Sequence, residues 1–153
     1  MTFRVLIVED IETKRLSVEQ LVVAAFSDVQ VDSAASVNSA IKLLNEHDYC
    51  LVLLDMSLPT YDLTKAEGGG TPRPRGGMEL FAHLDGIGIE VPVIVVSAYG
   101  ALEEKGSLIS LEEISTQLRV AYPGLFRGSV LFDSVYTVWA SELSELIRKA
   151  LKT

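Results

Sequence analysis

One cysteine, two histidines and one tryptophan are all that 153 residues supply of these types. With Cys50 alone, no internal disulfide forms, and no multi-cysteine zinc site can be assembled. His47 and His83 share no ligand spacing and read as a helix end and a helix surface. Positive charge is also scarce: 13 Lys and Arg stand against 21 Asp and Glu, a formal charge of −8. That argues against a general nucleic-acid binder, because phosphate contacts need clustered Lys and Arg. It argues equally against docking on anionic lipid. No apolar run approaches the roughly 20 residues of a membrane span; the longest are of the kind Leu21–Phe26 and Val91–Val96. The opening Met-Thr-Phe-Arg-Val-Leu-Ile-Val-Glu-Asp meets acid after four apolar residues, too few for a signal peptide. A cytoplasmic protein is expected.

What is present fits one folded domain over residues 1–153. Hydrophobic residues make up 48% and charged residues 22%, which excludes disorder. Short, nearly continuous apolar runs lie at Phe3–Val8, Val29–Val31, Leu51–Leu54, Val93–Val96 and Val130–Phe132. Their Val, Ile and Leu content is that of strands buried on both faces. Segments of helical period separate them. Val18, Leu21, Val22 and Ala25 form one stripe; Val37, Ala40, Ile41 and Leu44 a second; Leu143, Leu146, Ile147 and Ala150 a third. Leu111, Ile114, Leu118 and Ala121 form another, with Ser110 and Glu113 as a capping box and Pro123-Gly124 as its end.

The order is β-α repeated five times. It predicts an α/β fold: a doubly wound, five-stranded parallel sheet with helices on both faces. Ligands in such sheets sit at the carboxyl ends of the strands, near the point where strand order switches. Two stretches interrupt the rhythm. Residues 60–75 hold Gly68-Gly69-Gly70 and two prolines and read as an inserted loop. Residues 101–128 are longer than one helical crossover needs.

Three carboxylates fall at the predicted carboxyl edge. Glu9 and Asp10 follow the first strand, and Asp55 follows the third; Ser97 closes the fourth. Three acids at one edge repel unless a cation offsets them, and oxygen ligands on a partly open site suit Mg2+. A carboxylate can also act as a nucleophile and form an acyl phosphate.

The stretches VLIVEDIETKR, LVLLDMSLP, GGMELFAHL and PVIVVSAYG together resemble the receiver domain of two-component response regulators, the CheY-like (flavodoxin-like) fold. The resemblance covers most of residues 3–100 and, more loosely, the last helix. It implies that Asp55 accepts a phosphoryl group from a histidine kinase or phosphotransfer protein. It further implies that Asp10 binds Mg2+ directly, that Glu9 acts mostly through water, and that the Ser57 backbone carbonyl is a ligand. Ser97 matches the hydroxyl that contacts the phosphoryl group, and Pro59 the proline that shapes the following loop. Such a domain is a phosphoprotein switch rather than an ordinary enzyme; at most it catalyses its own phosphorylation and dephosphorylation. Its signal is altered binding of a downstream protein, through the face built by the fourth helix, fifth strand and fifth helix. A homodimer through that face is also implied.

The chain departs from the pattern in three places. Receivers end the fifth strand with a lysine that pairs with phosphoryl oxygens; here Ser134 falls at that position, with Asp133 next, and neither is cationic. Arg127 is the nearest base in sequence, and Lys105 lies in the preceding crossover. The loss predicts slow or weakly coupled phosphorylation, since a charge-assisted contact to phosphate is worth roughly 1.5–3 kcal/mol. Gly76-Gly77 follows Asp55 much later than in such domains, which marks 60–75 as an insertion beside the site, able to act as a lid or to bind a partner. Arg73 and Arg75, at its end, are candidates to replace the missing lysine. The fifth strand also lacks the usual switch aromatic: Leu131 falls near its place. These departures favour, as the alternative, a pseudo-receiver that docks proteins without phosphate. A Mg2+-dependent phosphohydrolase on a similar sheet is a third class, but its D-x-D motif after the first strand is missing.

Overall fold

The computed structural model describes residues 3–59 and 74–152. Strand β1 (Phe3–Val8) is followed by α1 (Glu12–Ala25), β2 (Val29–Ala34), α2 (Val37–Glu46), β3 (Leu51–Leu54) and α3 (Arg75–Ile87). Then come β4 (Val93–Ser97), β5 (Ala101–Glu104), β6 (Ser107–Ser110), α4 (Leu111–Ala121), β7 (Phe126–Leu131) and α5 (Val138–Leu151). Five strands form one parallel sheet in the order β2-β1-β3-β4-β7. The expected architecture is therefore present. Strand order switches between β1 and β3, so their carboxyl ends border the crevice where ligands bind in such sheets.

Alternation along the strands builds two cores. Val5 and Ile7 of β1, with Leu51 and Leu53 of β3 and Ile94 and Val96 of β4, face α1 and α5; there Val18, Val22, Leu143 and Ile147 close over them. Leu6 and Val8, with Val52, Leu54, Val93 and Val95, face α2, α3 and α4, which contribute Ala40, Leu44, Leu80, Phe81, Ile114 and Leu118. Phe81 stacks on Tyr122 with centroids 5.4 Å apart and meets Phe126 at 6.3 Å. Because both faces are covered, the strands carry apolar residues in runs rather than in alternation with polar ones.

The fourth crossover is not purely helical, and here the sequence reading is corrected. Residues 101–110 form an antiparallel hairpin, β5·β6, before α4 begins. Its two turn residues, Lys105 (φ 51°) and Gly106 (φ 81°), both take positive φ, as a two-residue hairpin turn requires. The cross-strand pair Leu102 and Ile109 is buried in the core, whereas Leu108 points to solvent. The amide of Leu111 donates to the Gly100 carbonyl at 2.8 Å, closing the hairpin onto the start of α4. Ser110 caps α4, its Oγ accepting from the Glu113 amide at 3.0 Å. The fifth strand of the sheet, β7, also begins earlier than the apolar run 130–132 suggested, at Phe126.

The inserted segment expected at 60–75 falls almost wholly outside the described residues; only Pro74 and Arg75 of it are described, at the start of α3. Beyond it, α3 returns tightly onto the segment after β3. The Gly77 amide donates to the Met56 carbonyl at 2.9 Å. A Cβ on Gly76 would lie 2.1 Å from the Leu58 carbonyl oxygen, and one on Gly77 would lie 2.7 Å from the Met56 Cα. Only glycine permits that approach. Among the described residues, no helix is long and apolar enough to cross a membrane.

Candidate functional site

Two ladder bonds set the site. The Glu9 amide donates to the Ala34 carbonyl and the Asp55 amide to the Val8 carbonyl, each at 2.9 Å. These bonds extend the β1·β2 and β1·β3 ladders by one residue and fix both acids at the sheet's carboxyl edge. Glu9, Asp10 and Asp55 offer carboxylate oxygens that all lie within 4.8 Å of one another. Glu9 and Asp55 are buried, and Asp10 is exposed at the mouth. The three acids picked out by sequence are thus brought together.

Ser57 covers Asp55. Its Oγ donates to Asp55 Oδ2 at 3.2 Å, and its amide approaches Oδ1 at 3.4 Å. Ser97 is fully buried at the end of β4. Its hydroxyl donates to the Tyr99 carbonyl at 2.9 Å and accepts from the Tyr99 amide at 3.1 Å. Donation to any other group requires that hydroxyl to leave the Tyr99 carbonyl. Pro59 accepts the Val37 amide at 3.0 Å, tying the loop after Asp55 to the start of α2. Ser134 lies past β7, in the connection to α5, where it lines a cleft of about 190 Å³ together with Lys14, Phe132, Asp133 and Trp139.

Sequence reasoning missed Lys14. On α1 its side chain is 3% exposed, and its ammonium sits among the acids. Nζ is 2.5 Å from Glu9 Oε1 and 3.5 Å from Asp55 Oδ1, and it donates to the Val96 carbonyl at 2.7 Å. The signal was available: Lys14, Val18 and Val22 are spaced i, i+4, i+8, so lysine occupies the core-facing stripe of its helix. The bases weighed from sequence lie elsewhere. Lys105 is exposed at the hairpin turn and Arg127 is exposed on β7. Arg75 pairs with Glu79 at 3.3 Å on its own helix, and Arg73 lies outside the described residues.

The electrostatics follow from burial. Loss of solvent, reinforced by the Asp55 charge, pushes the Glu9 carboxyl up from 4.5 to about 8, outweighing the Lys14 ammonium beside it. Asp10 is raised for the same two causes. The donor set, three carboxylates with one open to water, fits a hard divalent cation such as Mg2+. Among the described residues these three are the one such grouping of potential ligands.

A parallel sheet in this strand order, with an acid trio at its β1–β3 switch point, defines a doubly wound α/β domain with a candidate cation site where such sheets bind ligands. The response regulator receiver domain family matches residues 5–113, and the chain belongs to it. It is similar to the Detocs response regulatory protein DtcB of Enterobacter cloacae (strain JD6301), with 27% identity over 94% of this chain and 97% of that protein. It is also similar to the uncharacterized protein y4jR of Sinorhizobium fredii, with 25% identity over 92% and 93%. Among solved structures, the signal receiver domain of a putative Luxo repressor protein from Vibrio parahaemolyticus superposes with a TM-score of 0.69 at 18% identity, covering 99% of this chain and 92% of that one. Response regulator TrrA from Thermotoga maritima, solved in complex with Mg2+-BeF, superposes at 0.63 with 18% identity, covering 98% and 100%. At these identities the structures speak for the fold alone.

Proposed function

We propose that the chain is a single receiver domain whose Asp55 accepts a phosphoryl group from a histidine kinase or phosphotransfer protein, and whose phosphorylated form binds a downstream protein differently. The observation that carries this reading is the trio of carboxylates, drawn from β1 and β3 and converging within 4.8 Å at the switch point of the sheet. In the transfer, an Asp55 carboxylate oxygen attacks phosphorus. The bond from phosphorus to the donor breaks, and the donor leaves with the electron pair. Phosphoryl transfer of this kind needs positioning and charge neutralisation more than acid–base chemistry.

Asp10, Asp55 and the Ser57 carbonyl would hold Mg2+, with Glu9 behind them. When bound, the ion supplies positive charge against the carboxylates and the incoming phosphoryl oxygens. Glu9 is held for that task by its ladder amide and by the Ile11 amide, which donates to Oε2 at 3.1 Å. Ser57 orients the Asp55 carboxylate through its hydroxyl. Ser97 would exchange the Tyr99 carbonyl for a phosphoryl oxygen, and that exchange would carry the signal toward the β5·β6 hairpin and α4. The relatives named response regulatory proteins support a regulatory output.

The test is incubation with Mg2+ and acetyl phosphate, with intact mass followed beside an Asp55→Asn control. One added phosphate that requires both Asp55 and Mg2+ is expected. No addition to folded, Mg2+-loaded protein would refute the reading. It would leave a docking module that works without phosphate, which the lack of a cation at the carboxyl end of β7 favours.

A further inference from the structure

We propose that Lys14, on α1, supplies the fixed positive charge for the phosphoryl group that the carboxyl end of β7 does not provide. The inference rests on the phosphoacceptor reading of Asp55 and adds a residue to it.

Four observations carry it. The ammonium is buried, and its three short contacts go to Glu9, to Asp55 and to the Val96 carbonyl, one residue before Ser97. Nζ therefore touches both a carboxylate oxygen of Asp55 and the end of the strand that bears Ser97. Next, Lys14 takes a position in the apolar stripe of α1, in register with Val18 and Val22. Burying an ammonium is costly unless charges oppose it, so a lysine there is tied to the acids. Moreover, Lys14 and Ser134 line one cleft. The ammonium thus approaches from the side of the β7–α5 connection, where the sequence pattern leads one to expect the lysine. Finally, the charge count fits: with all three acids ionised, as a bound cation requires of its ligands, one ammonium leaves two negative charges for a divalent cation to neutralise, while Lys14 stays 3.5 Å from Asp55 Oδ1 to meet the added phosphoryl charge.

A bland role is the rival: an ion pair that only holds α1 on the sheet. The two roles separate when phosphoryl affinity is measured apart from folding and from Mg2+ binding. Lys14→Met keeps the length and removes the charge; Lys14→Gln keeps a polar end and serves if Met impairs folding. The probes are Mg2+ alone and then beryllofluoride with Mg2+, each titrated against the fluorescence of Trp139, which lines the same cleft. Thermal unfolding and the rate of acetyl phosphate labelling are measured alongside.

Expected are folded variants that bind Mg2+ as tightly as the parent or tighter, because an internal cation no longer competes for Glu9. Beryllofluoride affinity and labelling rate should both fall, by about tenfold to a hundredfold, as for loss of one charge-assisted contact. Parent-like beryllofluoride affinity in the variants would overturn the inference, as would a loss that merely tracks lost folding or lost Mg2+ binding. If the parent itself takes up neither beryllofluoride nor phosphate, the reading of Asp55 fails and this inference falls with it. If the parent does and the Lys14 variants match it, this inference alone fails.

Discussion

Two glycines of one helix should respond to alanine in opposite directions. At Gly76 the new methyl would sit 2.1 Å from the Leu58 carbonyl oxygen and 2.8 Å from its carbon. Those are backbone atoms and cannot swing aside, so α3 or the segment Met56–Leu58 must move. Overpacking of this kind costs typically 1–3 kcal/mol, against a helix-propensity gain of about 0.5–1 kcal/mol. A 2.1 Å approach to backbone belongs at the upper end of that cost, so a net loss of about 1–2.5 kcal/mol is expected for Gly76→Ala, which lowers Tm by roughly 2–10 °C in a domain of this size. At Gly86, in the last turn of α3, the same methyl meets nothing within 4 Å. Gly86→Ala should therefore gain about 0.5–1 kcal/mol, partly by restricting the unfolded chain. Thermal unfolding followed by far-ultraviolet dichroism reads both. Because Met56–Leu58 adjoins Asp55, Gly76→Ala should also weaken Mg2+ binding, and Gly86→Ala should not. A Gly76→Ala protein that melts at or above the parent would refute the claim that the close contact of α3 with Leu58 sets this loop.

Two further outcomes are expected. Without divalent metal, stability should fall as pH rises from about 4.5 to about 8, because the native Glu9 carboxyl, with its raised pKa, holds a proton that the unfolded chain has released; added Mg2+ should stabilise more at pH 8 than at pH 6, since it displaces that proton. Melting curves in chelator and in Mg2+ at several pH values check this, and a metal-free Tm that climbs with pH would contradict it. Ser110→Ala should cost about 1 kcal/mol in urea unfolding through loss of the Glu113 N–H bond at the start of α4, and an unchanged midpoint would mean the cap is redundant.

Much of this protein can be read from its one-dimensional pattern. Runs such as Val5–Val8 and Leu51–Leu54 are apolar at every position, and that alone calls for strands covered on both faces. Acids directly after two such runs must lie at the carboxyl edge, because a strand's end is fixed by where its apolar residues stop. Hence Glu9, Asp10 and Asp55 are legible as a group from the sequence, and so is Ser97 as the end of β4. The Ser110 cap was legible for a similar reason: it acts within three residues of itself.

The remainder depends on contacts between residues far apart in the chain. Helical period assigns Lys14 to the buried stripe of α1, but whether a lysine there meets solvent, a carbonyl or an acid is set by how α1 lies against β1, β3 and β4. Its contact with Val96 joins residues 82 apart. The hairpin β5·β6 escaped the helical reading because four-residue strands carry almost no periodicity; it is fixed by Leu102 and Ile109 finding the core together. The direction of the Ser97 hydroxyl, toward Tyr99, is a choice among rotamers made by the loop that follows it. Pattern along the chain suffices for the sheet, its helices and the acidic edge, since burial and strand ends are local matters. Which cation answers those acids follows from the packing of α1 on the sheet, because a charge is placed by three-dimensional distance and not by position along the chain.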